Sequence, residues 1–257
     1  MNLIKYIILG LIQGFTEPLP ISSSGHLKIF RYLFKDNLIN DLTLEIFLNF
    51  ASFLAVLYFY KKDIKDLIIN SYKYIKTKEN KYKKSINYVI LIIISTIIPS
   101  IIGLLLKDYI EELFNIKLVS ICLLITSLFL FLIKDKDGYK KEISIKDSII
   151  IGLFESVSIF PGISRSAATL TGCLNQNINK EESVKYSFML YLPISIGTFI
   201  LSLNDINIIN KYYFISAIFT FISTYISLKL FLNIVKKKKL IYFSIYCLIV
   251  GLITFFI

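Results

Sequence analysis

Six apolar runs, at about 44–60, 86–106, 116–133, 186–203, 212–233 and 240–257, dominate this 257-residue chain. Each is close to the ~20 residues that a helix needs to cross hydrocarbon. Such a chain has few structural options. Within lipid, every backbone N–H and C=O must find its partner inside protein, which admits helices or closed barrels. Composition agrees: 55% of residues are hydrophobic, 18% are charged, and mean hydropathy is +0.67. The expected fold class is all-α, a polytopic membrane protein with six transmembrane helices.

The formal net charge of +11 does not point to nucleic acid. No basic helix with interleaved aromatics is present, and the lysines sit in links between the apolar runs. Segments 61–85, 134–146, 175–185 and 236–239 hold 20 Lys and Arg, whereas links 35–43, 107–117 and 204–211 hold four. Lys and Arg collect on the cytoplasmic side. The asymmetry predicts a plasma-membrane protein with both termini outside, surrounded by membrane lipids and without a nucleic-acid partner. The N-terminal run carries no small-residue cleavage site, so it is read as part of the fold. Cys122, Cys173 and Cys247 show no metal or disulfide spacing and are expected to be buried.

Two stretches do not fit simple spans. Pro18 and Pro20 stop a helix over 3–17, and Ser22–Ser24 can open another over 23–34. These pieces measure about 22 and 18 Å, so neither crosses the bilayer. A re-entrant helix hairpin over 3–34 satisfies that constraint. Residues 147–158 and 164–174 repeat the pattern around Pro161–Gly162, which gives a second hairpin over 147–174. At an offset of 142 residues, Ile7–Ile8 matches Ile149–Ile150, Gly10–Leu11 matches Gly152–Leu153, Gln13 meets Glu155, and Ser22–Ser24 meets Ser164–Ser166. A hairpin and three spans therefore occur twice, in 1–133 and 143–257. Three is odd, so the second copy is inverted. Inverted-topology repeats with broken helices bind ligands near the bilayer midplane.

The two breaks carry the chemistry. Gln13 and Glu17 share one helix face. Ser22, Ser23, Ser24 and Gly25 open a helix whose free N–H groups and dipole suit an anion, and His26, the sole histidine, follows. Ser164 and Ser166 flank Arg165, a permanently charged fork, with Thr169 one turn on and Glu155 in the preceding helix. The blander alternatives are helix capping for the serines and a structural role for the histidine. Ionisable groups at membrane depth are costly, and that favours function. The set suits phosphoryl transfer, where catalysis is mostly positioning and charge stabilisation.

Gln13, Glu17 and Pro20 to His26, together with Pro161 to Ser166 and Thr169, resemble the signatures of the undecaprenyl-diphosphate phosphatases, the bacitracin-resistance family. The resemblance covers nearly the whole chain, and Glu45 at the start of the first span also fits. It implies hydrolysis of a polyprenyl diphosphate to the monophosphate, recycling the carrier lipid for envelope glycan synthesis and conferring bacitracin resistance. It implies a site open to the outer face and a divalent cation, Mg²⁺ or Ca²⁺. Carried over residue by residue, Glu17, Ser23, His26 and Arg165 are catalytic. The resemblance implies Ser23 as nucleophile with His26 as its base, or a water activated by His26, with Glu17 a metal ligand or proton acceptor and Arg165 the phosphate clamp. Gln13, Ser22, Ser24, Gly25, Ser164, Ser166 and Thr169 bind substrate. Two departures stand out: Ala167 replaces a glycine, and Glu155 stands where a glutamine is usual. Glu155 is therefore expected to lend the metal a second carboxylate. A transporter or flippase of a polyprenyl phosphate lipid is the alternative reading, because the inverted repeat is a transporter architecture. Oligomeric state is left open.

Overall fold

A computed structural model describes residues 2–34, 42–112, 115–206 and 209–256. Among them are eleven α-helices and no strand. They are α1 (Asn2–Thr16), α2 (Ser23–Phe34), α3 (Leu42–Phe59), α4 (Lys61–Thr77), α5 (Asn80–Glu112) and α6 (Ile116–Ile133). The second half holds α7 (Ile145–Val157), α8 (Arg165–Asn175), α9 (Lys180–Leu201), α10 (Lys211–Lys236) and α11 (Ile241–Phe255). Five regions, Leu42–Phe59, Asn80–Leu106, Ile116–Ile133, Lys180–Asp205 and Lys211–Lys236, are long and apolar enough to cross a membrane. The run expected at 240–257 forms α11, an apolar helix of 15 residues, shorter than those five.

Three expected links are more helical than the sequence reading allowed. Segment 61–85 was expected to be a lysine-rich loop. It is instead α4 and the first turn of α5, because Lys is a good helix former and Ile64, Leu67 and Ser71 recur at helical spacing towards the protein. The connector 175–185 contracts, since Asn179 caps α9 by accepting the Glu182 N–H at 2.9 Å. α5 runs on to Glu112 and has 33 residues, about 50 Å. That exceeds the ~30 Å of hydrocarbon, so its polar ends leave the apolar layer. Residues 35–41, 113–114 and 207–208 of the remaining links lie outside the described residues.

Lipid provides no hydrophobic drive between helices, so small residues and hydroxyl groups hold them together. α1 packs on α10 through Gly10 and Gly14. Ser216 donates to the Tyr6 carbonyl at 2.7 Å, Thr220 to the Gly10 carbonyl at 3.0 Å and Ser227 to the Phe15 carbonyl at 2.7 Å. α7 packs on α5 in the same manner. Gly152 lies against Ser95, whose hydroxyl donates to the Ser148 carbonyl at 2.7 Å. α6 and α11 are joined by Ser120 to Thr254 at 2.9 Å and by Ser127 to the Ser244 carbonyl at 2.8 Å. Phe214, Ile218, Ile222, Ile226 and Leu230, four apart on α10, remain exposed and form a lipid-facing stripe. Cys122, Cys173 and Cys247 are buried and unpaired with each other, as their apolar context predicts.

Candidate active site

The two breaks are built alike and touch. After α1 ends, Ser22 takes a left-handed conformation (φ 69°), and its hydroxyl accepts the Gly25 N–H at 3.2 Å. Ser164 likewise accepts the Ala167 N–H at 3.3 Å to cap α8. The Ser22 and Ser24 hydroxyls are 3.4 Å apart, and those of Ser164 and Ser166 are 3.2 Å apart. Gly162 sits at φ 106°, and a Cβ there would lie 2.6 Å from Cys122 Cβ. A Cβ on Gly25 would lie 3.2 Å from Gly162 Cα. Only glycine permits this approach of one turn to the other. Thr126 on α6 secures the second turn: its hydroxyl donates to the Gly162 carbonyl and accepts the Ser164 N–H, both at 3.0 Å.

Glu17 is the hub. Arg165 Nη2, from the opposite break, donates to Glu17 Oε1. The Ser23 hydroxyl donates to Oε2, and Gln13 Nε2 reaches the same oxygen at 3.0 Å. Gln13 Nε2 also donates to Asn49 Oδ1 on α3 at 2.8 Å. The Arg165 guanidinium lies 4.0 Å from the centroid of the Tyr191 ring on α9, an electrostatically favourable platform. Nη1 is 3.5 Å from the Ser195 hydroxyl. A narrow opening lined by Glu17, Val56, Arg165, Ser166, Ser187, Phe188 and Tyr191 leads to this pair.

His26 has other partners. Its Nδ1 is 2.7 Å from the Ser22 carbonyl, which can only accept, so Nδ1 carries a proton. In the neutral ring Nε2 then accepts from the Tyr246 hydroxyl at 2.7 Å, and the two rings stack at 5.5 Å. Thr169 donates to Glu155 Oε2 and, at 2.8 Å, to the Arg165 carbonyl. Glu155 is therefore linked to Arg165 through Thr169. Its Oε1, like Gln13 Oε1, is buried without a hydrogen-bond partner among the described residues.

The geometry thus unites Gln13, Glu17, Ser23 and Arg165, aligns Ser22, Ser24, Gly25, Ser164 and Ser166 along the two helix openings, and puts Thr169 with Glu155 behind Arg165. Sequence reasoning missed Asn49, Tyr191, Ser195 and Tyr246. Asn49 was findable as an amide in the middle of an apolar run. Tyr191 and Tyr246 were hidden among 17 tyrosines. Tyr246→Phe keeps the ring stack and removes the bond to Nε2. It is expected to move the Nε2 resonance of the single histidine in a ¹⁵N-histidine spectrum. An unmoved resonance would show that the bond is not made.

Among the described residues no three His, Cys, Asp or Glu side chains cluster as a metal cage. The Glu17 carboxylate and the Ser23 hydroxyl offer oxygen donors at the hub, and the Gln13 Oε1 is buried and finds no hydrogen-bond partner among the described residues. Such a set fits a hard divalent cation whose remaining ligands come from phosphate and water.

Helices of this length and hydropathy define a multi-pass membrane protein, and its partly buried carboxylate–arginine pair lies at the N-termini of α2 and α8. The profile of the family described as Bacitracin resistance protein BacA matches residues 6–253, and the chain belongs to that family. It is 43% identical over 261 residues to undecaprenyl-diphosphatase 2 of Bacillus thuringiensis (strain Al Hakam), covering 98% of this chain and 96% of the relative. It is 42% identical to undecaprenyl-diphosphatase 1 of Bacillus licheniformis, covering 97% and 96%. The undecaprenyl-diphosphatase of Oceanobacillus iheyensis is 40% identical, with 98% and 96% covered.

Proposed function

We propose that this chain hydrolyses undecaprenyl diphosphate to the monophosphate and phosphate, recycling the carrier lipid and conferring bacitracin resistance. One observation carries the reading: Arg165 of one break meets Glu17 and Ser23 of the other, between the N-termini of α2 and α8. In the resting site Arg165 is held by Glu17. The terminal phosphoryl group of the substrate offers it a more highly charged acceptor. Arg165 turns to that group, and Glu17 is released to take the Ser23 proton along the bond already present. Ser23 Oγ bonds to phosphorus as the bridging P–O bond to the prenyl monophosphate breaks. Arg165 and the helix N–H groups hold the charge that develops. Water then cleaves the phosphoserine. Glu17 returns its proton to Ser23 Oγ, and both hydrogens of the water leave with the phosphate. The hydrogen bonding favours Glu17 over His26 as the acceptor of the Ser23 proton. Glu17 and Gln13 Oε1 would hold Mg²⁺ or Ca²⁺, which supplies charge neutralisation for the diphosphate.

The same reading makes the fold an inverted repeat, 1–133 and 143–257, with six crossings and two re-entrant hairpins. Equivalent bonds recur in the two halves and support it. Ser22 to Gly25 corresponds to Ser164 to Ala167. The contact of Ser216 with the Tyr6 carbonyl corresponds to that of Ser95 with the Ser148 carbonyl, both at 2.7 Å. Each hairpin thus packs on a long helix of the other half. The lysine asymmetry supports outer termini and a site opening to the outer face of the plasma membrane.

Purified protein in detergent has no sidedness, so lipid movement cannot be scored there but phosphate release can. Release from undecaprenyl diphosphate is expected, with Ser23→Ala lowering it by at least about 10³-fold. Full release from Ser23→Ala would make water the nucleophile. No release with any divalent cation, alongside lipid movement in vesicles, would establish the flippase instead.

A further inference from the structure

α4 begins one residue after α3 ends, with only Tyr60 between them. α3 has 18 residues, about 27 Å, close to the thickness of the hydrocarbon layer. Lys61 therefore emerges at the level of the lipid head groups. The crook between the two helices is a shallow open groove lined by Leu57, Lys61, Ile64, Lys65, Ile68 and Ile69. Four aliphatic side chains and two lysines line it. The Lys61 Nζ rests 4.0 Å from the Tyr58 ring centroid. Among the described residues neither Lys61 nor Lys65 forms an ion pair, and the nearby Asp63 is taken by Lys185. Along α4 the same stripe continues through Ile68, Tyr72 and Ile75, which are 63%, 64% and 59% exposed. A water-facing helix would not present that stripe. A helix lying in the interface would, with its lysines reaching up to the head groups.

We propose that this crook binds one anionic phospholipid of the leaflet on the lysine-rich side. Its phosphate sits between Lys61 and Lys65, and an acyl chain lies over Leu57, Ile64, Ile68 and Ile69. The charge complementarity selects the anion and the aliphatic floor selects a lipid over free phosphate. Two lysines at a membrane surface favour an anionic over a zwitterionic lipid by roughly 10- to 30-fold.

The full-length protein in detergent, titrated with phosphatidylglycerol or phosphatidylcholine and read by native mass spectrometry, tests this. Wild type is expected to retain phosphatidylglycerol at least about tenfold better. Lys61→Gln with Lys65→Gln is expected to abolish the preference, and Ile68→Glu, which leaves both lysines, to abolish it as well. All three side chains are exposed, so the variants should melt as wild type does. Lys76→Gln with Lys83→Gln removes the same charge outside the groove and is expected to keep the preference. Equal loss in that control would reduce the effect to net charge and overturn the proposal. So would unchanged retention in the Lys61/Lys65 variant, or displacement of the lipid by glycerol phosphate at comparable concentration.

Discussion

Arg165→Ala lowers phosphate release from undecaprenyl diphosphate by on the order of 10³-fold or more, the scale of losing an arginine that stabilises a phosphoryl-transfer transition state. Arg165 is the fixed cation at the hub, and it comes from the half of the chain that supplies neither Glu17 nor Ser23. Its loss removes the clamp on the transferred group. It also leaves the partly buried Glu17 carboxylate without its counter-charge, which destabilises the fold. The two effects separate in Arg165→Lys. The charge remains, so the fold is expected to survive in a thermal melt. The planar fork on Tyr191 is lost, and turnover is expected to fall about 10²-fold. Wild-type turnover in Arg165→Ala would remove Arg165 from the mechanism.

Gly14→Ala is the second large effect, and it acts through packing. A Cβ on Gly14 would lie 1.9 Å from Ser223 Oγ and 2.5 Å from the Thr220 carbonyl oxygen. The serine can turn away, but the carbonyl belongs to the α10 backbone. α1 must therefore back off, losing the bonds from Thr220 and Ser227. Overpacking of this kind costs about 1–3 kcal/mol. Gln13 and Glu17 move with α1, and a shift of about 1 Å at a catalytic group can cost about 10²-fold in rate. The expected result is a lower melting temperature in detergent together with lower phosphate release. Adding Ser223→Ala should restore only part of both, since the carbonyl clash persists. A variant that melts and turns over like wild type would refute the close α1–α10 packing.

Much of this was legible in the sequence. Pro18, Pro20 and the serines after them mark the first break to within a residue of the observed ends of α1 and α2. Pro161–Gly162 marks the second. Capping chemistry is local, so it can be read locally. α4 was not legible, because nine lysines over 61–85 suggested a loop although lysine does not oppose a helix. Its partly aliphatic stripe has meaning only beside a membrane surface. Ser23, His26 and Glu17 were all visible, yet their pairing was not. The Ser22 carbonyl and Tyr246, 220 residues from His26, occupy both imidazole nitrogens, and the serine proton is directed to Glu17 instead.

The apolar runs and the helix breaks follow from the chain alone, because each reflects how a short segment satisfies its own backbone in lipid. The sequence also determined which residue types stand at the breaks, and with them the chemistry available. The tertiary structure decided which helices pair. Apolar faces resemble one another, and the choice rests on where Gly10, Gly14 and Gly152 let a serine-bearing helix approach. It alone brought Arg165 to Glu17 across 148 residues, a contact that no local preference encodes. Arg165 meets Glu17 because the two broken helical stretches, α1–α2 and α7–α8, each pack on a long helix of the other half of the chain.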